Sequence, residues 1–270
     1  MQRPAQCKKT YESEVTLCRV NAPAVAVCPP VPCKDCALRA KPAFSGVKPA
    51  ELDYIQQYRS DMVDLPAGAA IIPEHRTSQQ LFTLYAGWGF RYKTMSDGRR
   101  QILNFLLPGD FIGLQEEFAD GMTPGVEAVT PVRLCVFPRD GLWPLFREYP
   151  SLGYDVTWLA AREEHWVDHH LVSAGRRNAQ ERVAMLLIHL YRRAERVGLA
   201  QDGWVPFPFN QQHIADALGL SLVHTNKTLR RLQALGLHSL VDGRLRLLSP
   251  RSLERLADYA ERPLRQVPLI

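Results

Sequence analysis

The sequence predicts an α+β protein with three parts: an N-terminal β-roll of the jelly-roll kind, one long helix, and a C-terminal winged helix-turn-helix domain. Short apolar runs separated by glycine turns predict the roll between residues 69 and 137. Apolar residues at helical spacing predict the long helix over residues 150–173. Two helical patterns that meet at Gly219, followed by a hairpin pattern, predict the last domain. With 270 residues, 46% of them apolar and 23% charged, the chain has the length and composition of two globular domains.

Residues 1–32 predict a flexible, cysteine-containing arm, because they are rich in Pro, Ala and Val and show no sustained periodicity. Cys28 lies in this arm, and Cys33 and Cys36 follow it with two residues between them. That spacing lets both sulfurs reach one metal ion or cluster, although free thiols are the simpler interpretation. The sequence has neither a secretory signal nor an apolar run that could span a membrane. We therefore expect a cytoplasmic chain without membrane contact, whose cysteines are thiols, metal ligands or redox sensors.

Residues 33–149 are expected to form the β-roll, with a short helix at residues 52–58 before the first strand. A roll can be a cupin-type enzyme, which holds a metal ion with histidines clustered on adjacent strands. His75 is the only histidine between Met1 and Glu164, so we expect the chain not to be an enzyme. The predicted strands are residues 69–72, 81–85, 90–93, 102–107 and 132–137.

Residues 150–175 predict a dimerisation helix. The helix carries one apolar stripe, and the roll is too small to supply many side chains that could cover it. Such a stripe packs most simply against the same helix of a second copy, which predicts a homodimer. The residues of the stripe are Leu152, Val156, Leu159, Trp166 and Val167.

Residues 176–270 form the basic C-terminal domain. They contain 15 Lys or Arg against 8 Asp or Glu, a net charge of +7, whereas residues 51–175 contain 10 against 17. A basic surface attracts phosphate, so the charge distribution places nucleic acid at the C-terminal domain and not at the acidic middle. A strongly amphipathic helix over residues 178–197 is expected to support the DNA-binding motif.

The motif itself spans residues 211–248. Gly219 separates its two helices, and Ser221 stands where a side-chain oxygen can cap the second helix. Asp242 and Gly243 occupy the turn of a following β-hairpin, so the order is helix, turn, helix, wing. An ordinary solvated helical hairpin is the alternative, and the wing favours the DNA-binding interpretation.

The second helix of the motif has a core face and a face that could read DNA. Thr225, Leu229 and Leu232 recur at spacings of four and three, so they are expected to face the core. The opposite face offers amide, ammonium and guanidinium groups that can bond base edges or phosphates, and apolar groups that can touch a thymine methyl. The candidate DNA-contacting residues are Ser221, Leu222, Val223, His224, Asn226, Lys227, Arg230 and Arg231.

The order of parts resembles the family of the cyclic-AMP receptor protein and the fumarate-nitrate reduction regulator (CRP/FNR), and is nearer its FNR-like branch. The resemblance covers nearly all of the chain after Val31. It is most specific at residues 107–113 (LPGDFIG), 178–184 (NAQERVA) and 214–221 (IADALGLS). The family implies a cyclic-nucleotide-binding-like roll and a homodimeric transcription regulator. It also implies an inverted-repeat site in double-stranded DNA and RNA polymerase as a partner.

The resemblance also bears on the signal. The stretches that would hold a cyclic phosphate here contain no arginine to pair with it, so we expect cyclic AMP not to be the effector. Oxygen-sensing members bind a [4Fe–4S] cluster, and Cys33, Cys36 and Cys135 resemble three of its four ligands. Pro42 stands where the remaining arm cysteine would fall, so Cys28 is the candidate fourth ligand, with Cys18 as the less favoured alternative. The resemblance therefore implies a response to oxygen or redox state through the cysteines.

Two alternatives to a cluster remain open. The chain could be a regulator that senses an unknown small molecule, and Cys135 would then be a small buried apolar residue. It could also be a DNA-binding or scaffold protein whose roll has lost its ligand. A dependence of operator affinity on ligand would separate the sensor from the scaffold.

Overall fold

The computed structural model describes residues 30–115, 123–259 and 265–270. Most of the arm predicted for residues 1–32, including Cys28, lies outside the described residues. Among the described helices, none has the length and apolar character needed to cross a membrane.

The described residues contain the predicted β-roll, built from two four-stranded antiparallel sheets that share one apolar core. The strands are β1 (Asp61–Leu65), β2 (Ala70–Ile72), β3 (Gln80–Ala86), β4 (Gly89–Thr94), β5 (Arg100–Leu106), β6 (Phe111–Ile112), β7 (Gly125–Ala128) and β8 (Val132–Pro138). One sheet has the strand order β1-β8-β3-β6 and the other β2-β7-β4-β5. The sequence did not predict strands β1, β6 and β7, of which β6 has only two residues.

The LPGD sequence, residues 107–110, forms the turn between β5 and β6. Gly109 has a backbone φ of +94°, a conformation that residues other than glycine rarely adopt. A Cβ atom added there would lie 2.3 Å from the ring of Phe44, so the turn and the N-terminal segment pack closely. Asp110 follows, and its carboxylate accepts a hydrogen bond from the backbone N–H of Leu107 at 2.8 Å.

Four helices surround or follow the roll: α1 (Pro49–Tyr58), α2 (Leu142–Glu148), α3 (Pro150–Arg176) and α4 (Ala179–Arg196). The sequence predicted α3, but it missed the short α2. The prediction that the stripe on α3 forms the dimer interface is wrong for Leu152, Val156 and Leu159. These side chains are 1%, 3% and 5% exposed within a single chain. They join a core cluster with α1, α2 and β8, because α2 folds back and covers that side of α3.

The C-terminal domain is built around α4, whose N-terminus is capped by Asn178. Its other helices are α5 (Gln211–Leu218), α6 (Leu222–Ala234) and α7 (Pro250–Ala257), and the last of these packs on α4. A three-stranded sheet completes the domain, with β9 (Val205–Pro206), β10 (His238–Val241) and β11 (Arg244–Leu247) in the order β10-β11-β9. This is the winged helix-turn-helix arrangement that the sequence predicts.

Polar contacts of α5 with β5 are among those that join this domain to the roll. Asp216 of α5 pairs with Arg100 of β5 at 3.5 Å, and Gln101 donates a side-chain hydrogen bond to the backbone of Ala217 at 3.1 Å. The last residues of the chain return to the roll, where the Val267 N–H bonds to the Ala43 carbonyl at 2.9 Å. The residues that follow Val267 are buried, so the C-terminal segment is part of the roll's packing.

Candidate nucleic-acid interface and sensor sites

The turn between α5 and α6 has the geometry that the sequence predicts. Gly219 ends α5 in the left-handed conformation with a φ of +63°. The Ser221 hydroxyl oxygen then accepts the backbone N–H of His224 at 3.2 Å, which caps the start of α6. The start and direction of α6 are therefore fixed by two short local interactions.

One face of α6 is packed and the other is open, as expected. Thr225, Leu229 and Leu232 are buried, with exposed fractions of 0%, 7% and 0%. An α-helix turns about 100° per residue, so Val223, Lys227 and Arg230 share one narrow strip of the opposite face. The exposed candidates on α6 and its cap are Ser221, Leu222, Val223, His224, Lys227, Arg230 and Arg231.

Asn226 differs from the sequence prediction. It was expected on the exposed face, but its side chain is half-buried and its Oδ1 atom is buried without a hydrogen-bond partner. On the helical wheel Asn226 stands beside the core residue Leu229 and not at the centre of the open strip, which is the reason for its burial. The central basic positions are therefore Lys227 and Arg230.

The wing adds basic residues that sequence reasoning missed. Asp242 and Gly243 both have positive φ, at 49° and 68°, which is the conformation of a tight hairpin turn. Arg244 and Arg246 follow it at alternate positions of β11, and both are exposed. Their alternation with buried leucines was the signal that could have revealed them. The wing can thus contribute further contacts to phosphate.

The structure brings together three of the four cysteines proposed as ligands. Cys33, Cys36 and Cys135 line one small cavity, while Cys28 lies outside the described residues. Cys33 and Cys135 are buried, and Cys36 is half-buried. Burial raises the pKa of the Cys33 thiol, and it raises the pKa of the Cys135 thiol to about 11. Both groups are therefore protonated thiols near pH 7.

A [4Fe–4S] cluster does not fit between these three thiols as they stand. Their cavity has a volume of about 20 Å³, which is close to the space that one water molecule needs. Arg39, Arg59 and Ile270 line the same space. Within the described ranges, no group of three or more Cys, His, Asp or Glu side chains has an arrangement that could hold a metal ion.

A second small cavity lies between the roll and α3, beside the stretch around Gly113 that the family resemblance assigns to a cyclic phosphate. Its volume is about 20 Å³, and Arg91 and Glu163 are among its lining residues. Arg91 comes from outside the stretches compared in the sequence, and it pairs with Glu163 at 3.7 Å. The Asn104 amide also donates hydrogen bonds to Glu163, at 2.9 and 3.1 Å. A carboxylate thus already neutralises this arginine, and it would repel a phosphate.

Comparisons with known proteins agree with this architecture. Residues 62–149 match the family model of the cyclic nucleotide-binding domain, and residues 181–256 match the Crp-like helix-turn-helix domain. The nitrogen fixation regulation protein FixK of Bradyrhizobium diazoefficiens is 32% identical, over 83% of this chain and 93% of that protein. The transcriptional activator protein FnrL of Cereibacter sphaeroides is 27% identical, over 77% of this chain and 84% of that protein.

A solved structure supports the same assignment. FixK2 from Bradyrhizobium japonicum has a TM-score of 0.66 and 27% sequence identity, and the match covers 75% of this chain and 98% of that one. The roll, the long helix and the winged helix-turn-helix therefore occur in the same order in both proteins. The chain belongs to the CRP/FNR family of DNA-binding transcription regulators, and within it to the FNR-like branch.

Proposed function

We propose that the protein is a homodimeric regulator that reads an inverted-repeat DNA site with α6 of each copy. The observation that carries this proposal is the capped, open strip of α6 with Val223, Lys227 and Arg230 on it. Lys227 can donate to guanine acceptors and Val223 can touch a thymine methyl, whereas Arg230 suits a phosphate. A two-fold dimer presents two such helices, which requires half-sites about one helical turn apart.

A selection of binding sites from random DNA tests this assignment. Lys227→Ala is expected to cost about 1–3 kcal/mol and to relax the preference at one base pair of each half-site. Arg230→Ala is expected to weaken all sites alike, because phosphate contacts carry no sequence information. Arg99→Ala, which removes a side chain 75% exposed on the roll, is the matched charge control. An unaltered consensus for Lys227→Ala would refute its role in reading bases.

The proposed dimer seam lies on α3 and shares only Val167 with the apolar stripe that the sequence suggested. An open strip of α3 carries Thr157, Ala160, Glu164, Val167 and Leu171, with alternating spacings of three and four. Val167 and Leu171 are 45% and 71% exposed, which is unusual for apolar residues of a packed helix. This spacing is that of a coiled-coil seam, and we propose the same strip of a second copy as its occupant.

A groove beside the seam supports the same partner. It has a volume of about 630 Å³ and runs between α2 and α3, along Val167 and Ala160. Trp143 of α2 lines it and is 75% exposed. An apolar groove that continues along a helical seam is covered when two copies of α3 pack together.

We also propose that the three thiols form the signal-sensing site. Cys33 and Cys135 belong to the same packed cluster as Leu152 of α3 and Ile270 of the C-terminal segment. A change at these thiols therefore acts on the dimerisation helix and on the chain end of the DNA-binding domain together. With a peroxide as oxidant, two thiols would form a disulfide while the peroxide is reduced to an alcohol and water.

The choice between thiol and cluster sensing is made on protein purified without oxygen. Protein with at most trace iron and acid-labile sulfide, whose Cys33 and Cys36 become linked on peroxide treatment, would support the thiol switch. Stoichiometric iron and sulfide, lost from a Cys135→Ala variant, would support the cluster and refute the thiol switch. An operator affinity unchanged by oxidation would exclude both.

A relative of this chain supports one further protein partner. FnrL is described as a transcriptional activator, so we propose RNA polymerase as a partner of this chain on DNA.

We propose that cyclic AMP is not the effector, because Glu163 lines the small cavity beside Gly113 and already pairs with Arg91 there. A titration of the purified protein with cyclic AMP that saturated and raised operator affinity would overturn this proposal.

A further inference from the structure

A separate cavity lies where the roll, α3, α4 and the C-terminal segment meet. Its volume is about 230 Å³, larger than either small cavity described above. The roll contributes the turn with Gly109 and Asp110, and the C-terminal segment contributes Arg265 to Val267. The cavity is unusual for its charge, because its described lining holds one carboxylate and five guanidinium groups: Arg162, Arg192, Arg193, Arg196 and Arg265.

Two of these guanidinium groups, those of Arg162 and Arg193, share one carboxylate of the described lining. Asp110 is buried in contact with Arg193, and it is also the acidic partner of Arg162 at 3.9 Å. One carboxylate thus faces two arginines. Burial lowers the pKa of the Arg162 guanidinium; Asp110 opposes this shift, and the nearby Arg193 adds to it. An additional anion in the cavity would stabilise this pair of cations.

Of the other three arginines, only Arg196 and Arg265 extend the positive surface to the rim. Arg192 is neutralised by Glu195 at 3.1 Å and Glu254 at 2.8 Å. Arg196 and Arg265 are exposed at the rim, and within the described ranges neither has a salt bridge to a carboxylate. The cavity therefore combines a buried positive floor with two arginines that are free to reach a ligand from the opening.

Neutral hydrogen-bonding groups complete the wall. The rings of Trp166 and His189 pack with their centroids 3.8 Å apart, and both residues line the cavity. Trp166 Nε1 and His189 Nε2 are buried without a hydrogen-bond partner. A buried polar group without a partner destabilises the folded chain, because it has lost its hydrogen bond to water. Ligand oxygens at this wall would supply the missing partner.

We propose that this cavity is an effector site for a small organic anion with at least two carboxylate or phosphate groups. Guanidinium groups bind both kinds of oxyanion through paired N–H donors. The volume of about 230 Å³ lies below the range of about 300–1,000 Å³ for drug-sized ligands, which indicates a compact molecule. The site is distinct from the thiols and from the cavity at Glu163.

Such a ligand would be linked to DNA binding. The roll, the dimerisation helix and the DNA-binding domain each supply part of the wall, so the ligand's affinity depends on how these parts are arranged. If operator DNA favours one arrangement and thereby changes the affinity for the ligand by some factor, linkage requires the ligand to change the affinity for the operator by the same factor. This inference does not rest on the thiol proposal, and ligand binding is measured without DNA.

Calorimetric titration of the full chain at constant ionic strength provides the test. Citrate probes the carboxylate source and pyrophosphate the phosphate source, with acetate as the singly charged control. We expect at least one of the two probes to bind at least about tenfold more tightly than acetate, a difference of ~1.4 kcal/mol. The tighter of the two identifies the source of the oxyanion.

Variants at the rim locate the binding site. Arg196→Gln combined with Arg265→Gln is expected to lower the affinity of the better probe at least about tenfold, because each removes a guanidinium contact. Both residues are exposed, so the variant should fold, and an unchanged circular dichroism spectrum and melting temperature verify this. Arg99→Gln on the roll is the matched control and should leave the affinity unchanged. Binding of neither probe, or binding that is insensitive to the double variant, would overturn the proposal.

Discussion

The seam on α3 allows a quantitative test of the homodimer. Full burial of a Val or Leu side chain stabilises by about 1.5–3 kcal/mol. Scaled by the exposed fractions of 71% and 45%, burial in the dimer is worth about 1–2 kcal/mol for Leu171 and ~0.7–1.4 kcal/mol for Val167. Each residue occurs twice in a two-fold dimer, so replacing both by Glu removes roughly 3–7 kcal/mol. The new negative charges also repel Glu164, which weakens the dimer further.

The expected effect is a rise in the dimer dissociation constant of at least about 100-fold, because each 1.4 kcal/mol is a factor of ten. Sedimentation velocity over a range of protein concentrations measures this constant. Glu is a good helix former at exposed positions, so the monomer should remain folded. Val172→Glu is the matched control, since Val172 is 51% exposed but lies about 100° around the helix from Leu171. A double variant that stays dimeric, or a control that dissociates equally, would refute the seam.

Three further outcomes follow from burial and charge. Leu232→Ala should lower the free energy of unfolding by about 2–5 kcal/mol in a urea titration, because Leu232 is 0% exposed, and a loss under ~1 kcal/mol would contradict its place in the core. Burial lowers the pKa of His189 and of His238, so only the unfolded chain gains protons there below pH ~6.5. Stability should therefore fall with decreasing pH, by up to ~1.4 kcal/mol per pH unit for each histidine, and equal urea midpoints at pH ~7.5 and ~5.5 would contradict this. Iodoacetamide at pH ~8 should alkylate Cys36 before Cys135, whose pKa of about 11 leaves a thiolate fraction near ~0.001, and mass spectrometry that finds the reverse order would show that the Cys135 site opens.

Leu159 and Trp166, which the sequence suggested for the dimer seam, show that the spacing of apolar residues predicts a helix but not its dimer interface. The spacing of apolar residues correctly predicted a long helix, because a helix repeats every 3.6 residues whatever surrounds it. It could not predict which side of the helix the chain itself covers. α2 covers the side with Leu159, and His189 of α4 packs on Trp166. Of the predicted stripe, Val167 is left on the open strip, together with Leu171, because these intramolecular contacts cover the other residues.

The sequence by itself determined the local features of this protein. Gly219, Ser221 and the Asp242-Gly243 turn specify where α6 and the wing begin, because their backbone conformations and caps involve only residues nearby in the chain. The glycine turns of the roll, the basic C-terminal domain and the LPGD motif were readable for the same reason. These features were sufficient for the fold class and for DNA binding.

Only the tertiary structure decided what meets at the sites. Cys33, Cys135 and Ile270 are far apart in the sequence, yet they line one cavity. The arginines of the 230 Å³ cavity are divided between α3, α4 and the C-terminal segment, so no single stretch of sequence displays their excess charge. Hydrogen bonds and side-chain periods within a helix or turn depend on neighbours a few residues away. Burial, charge balance and the room left for a ligand depend on segments that are brought together by folding, and these were determined by packing alone.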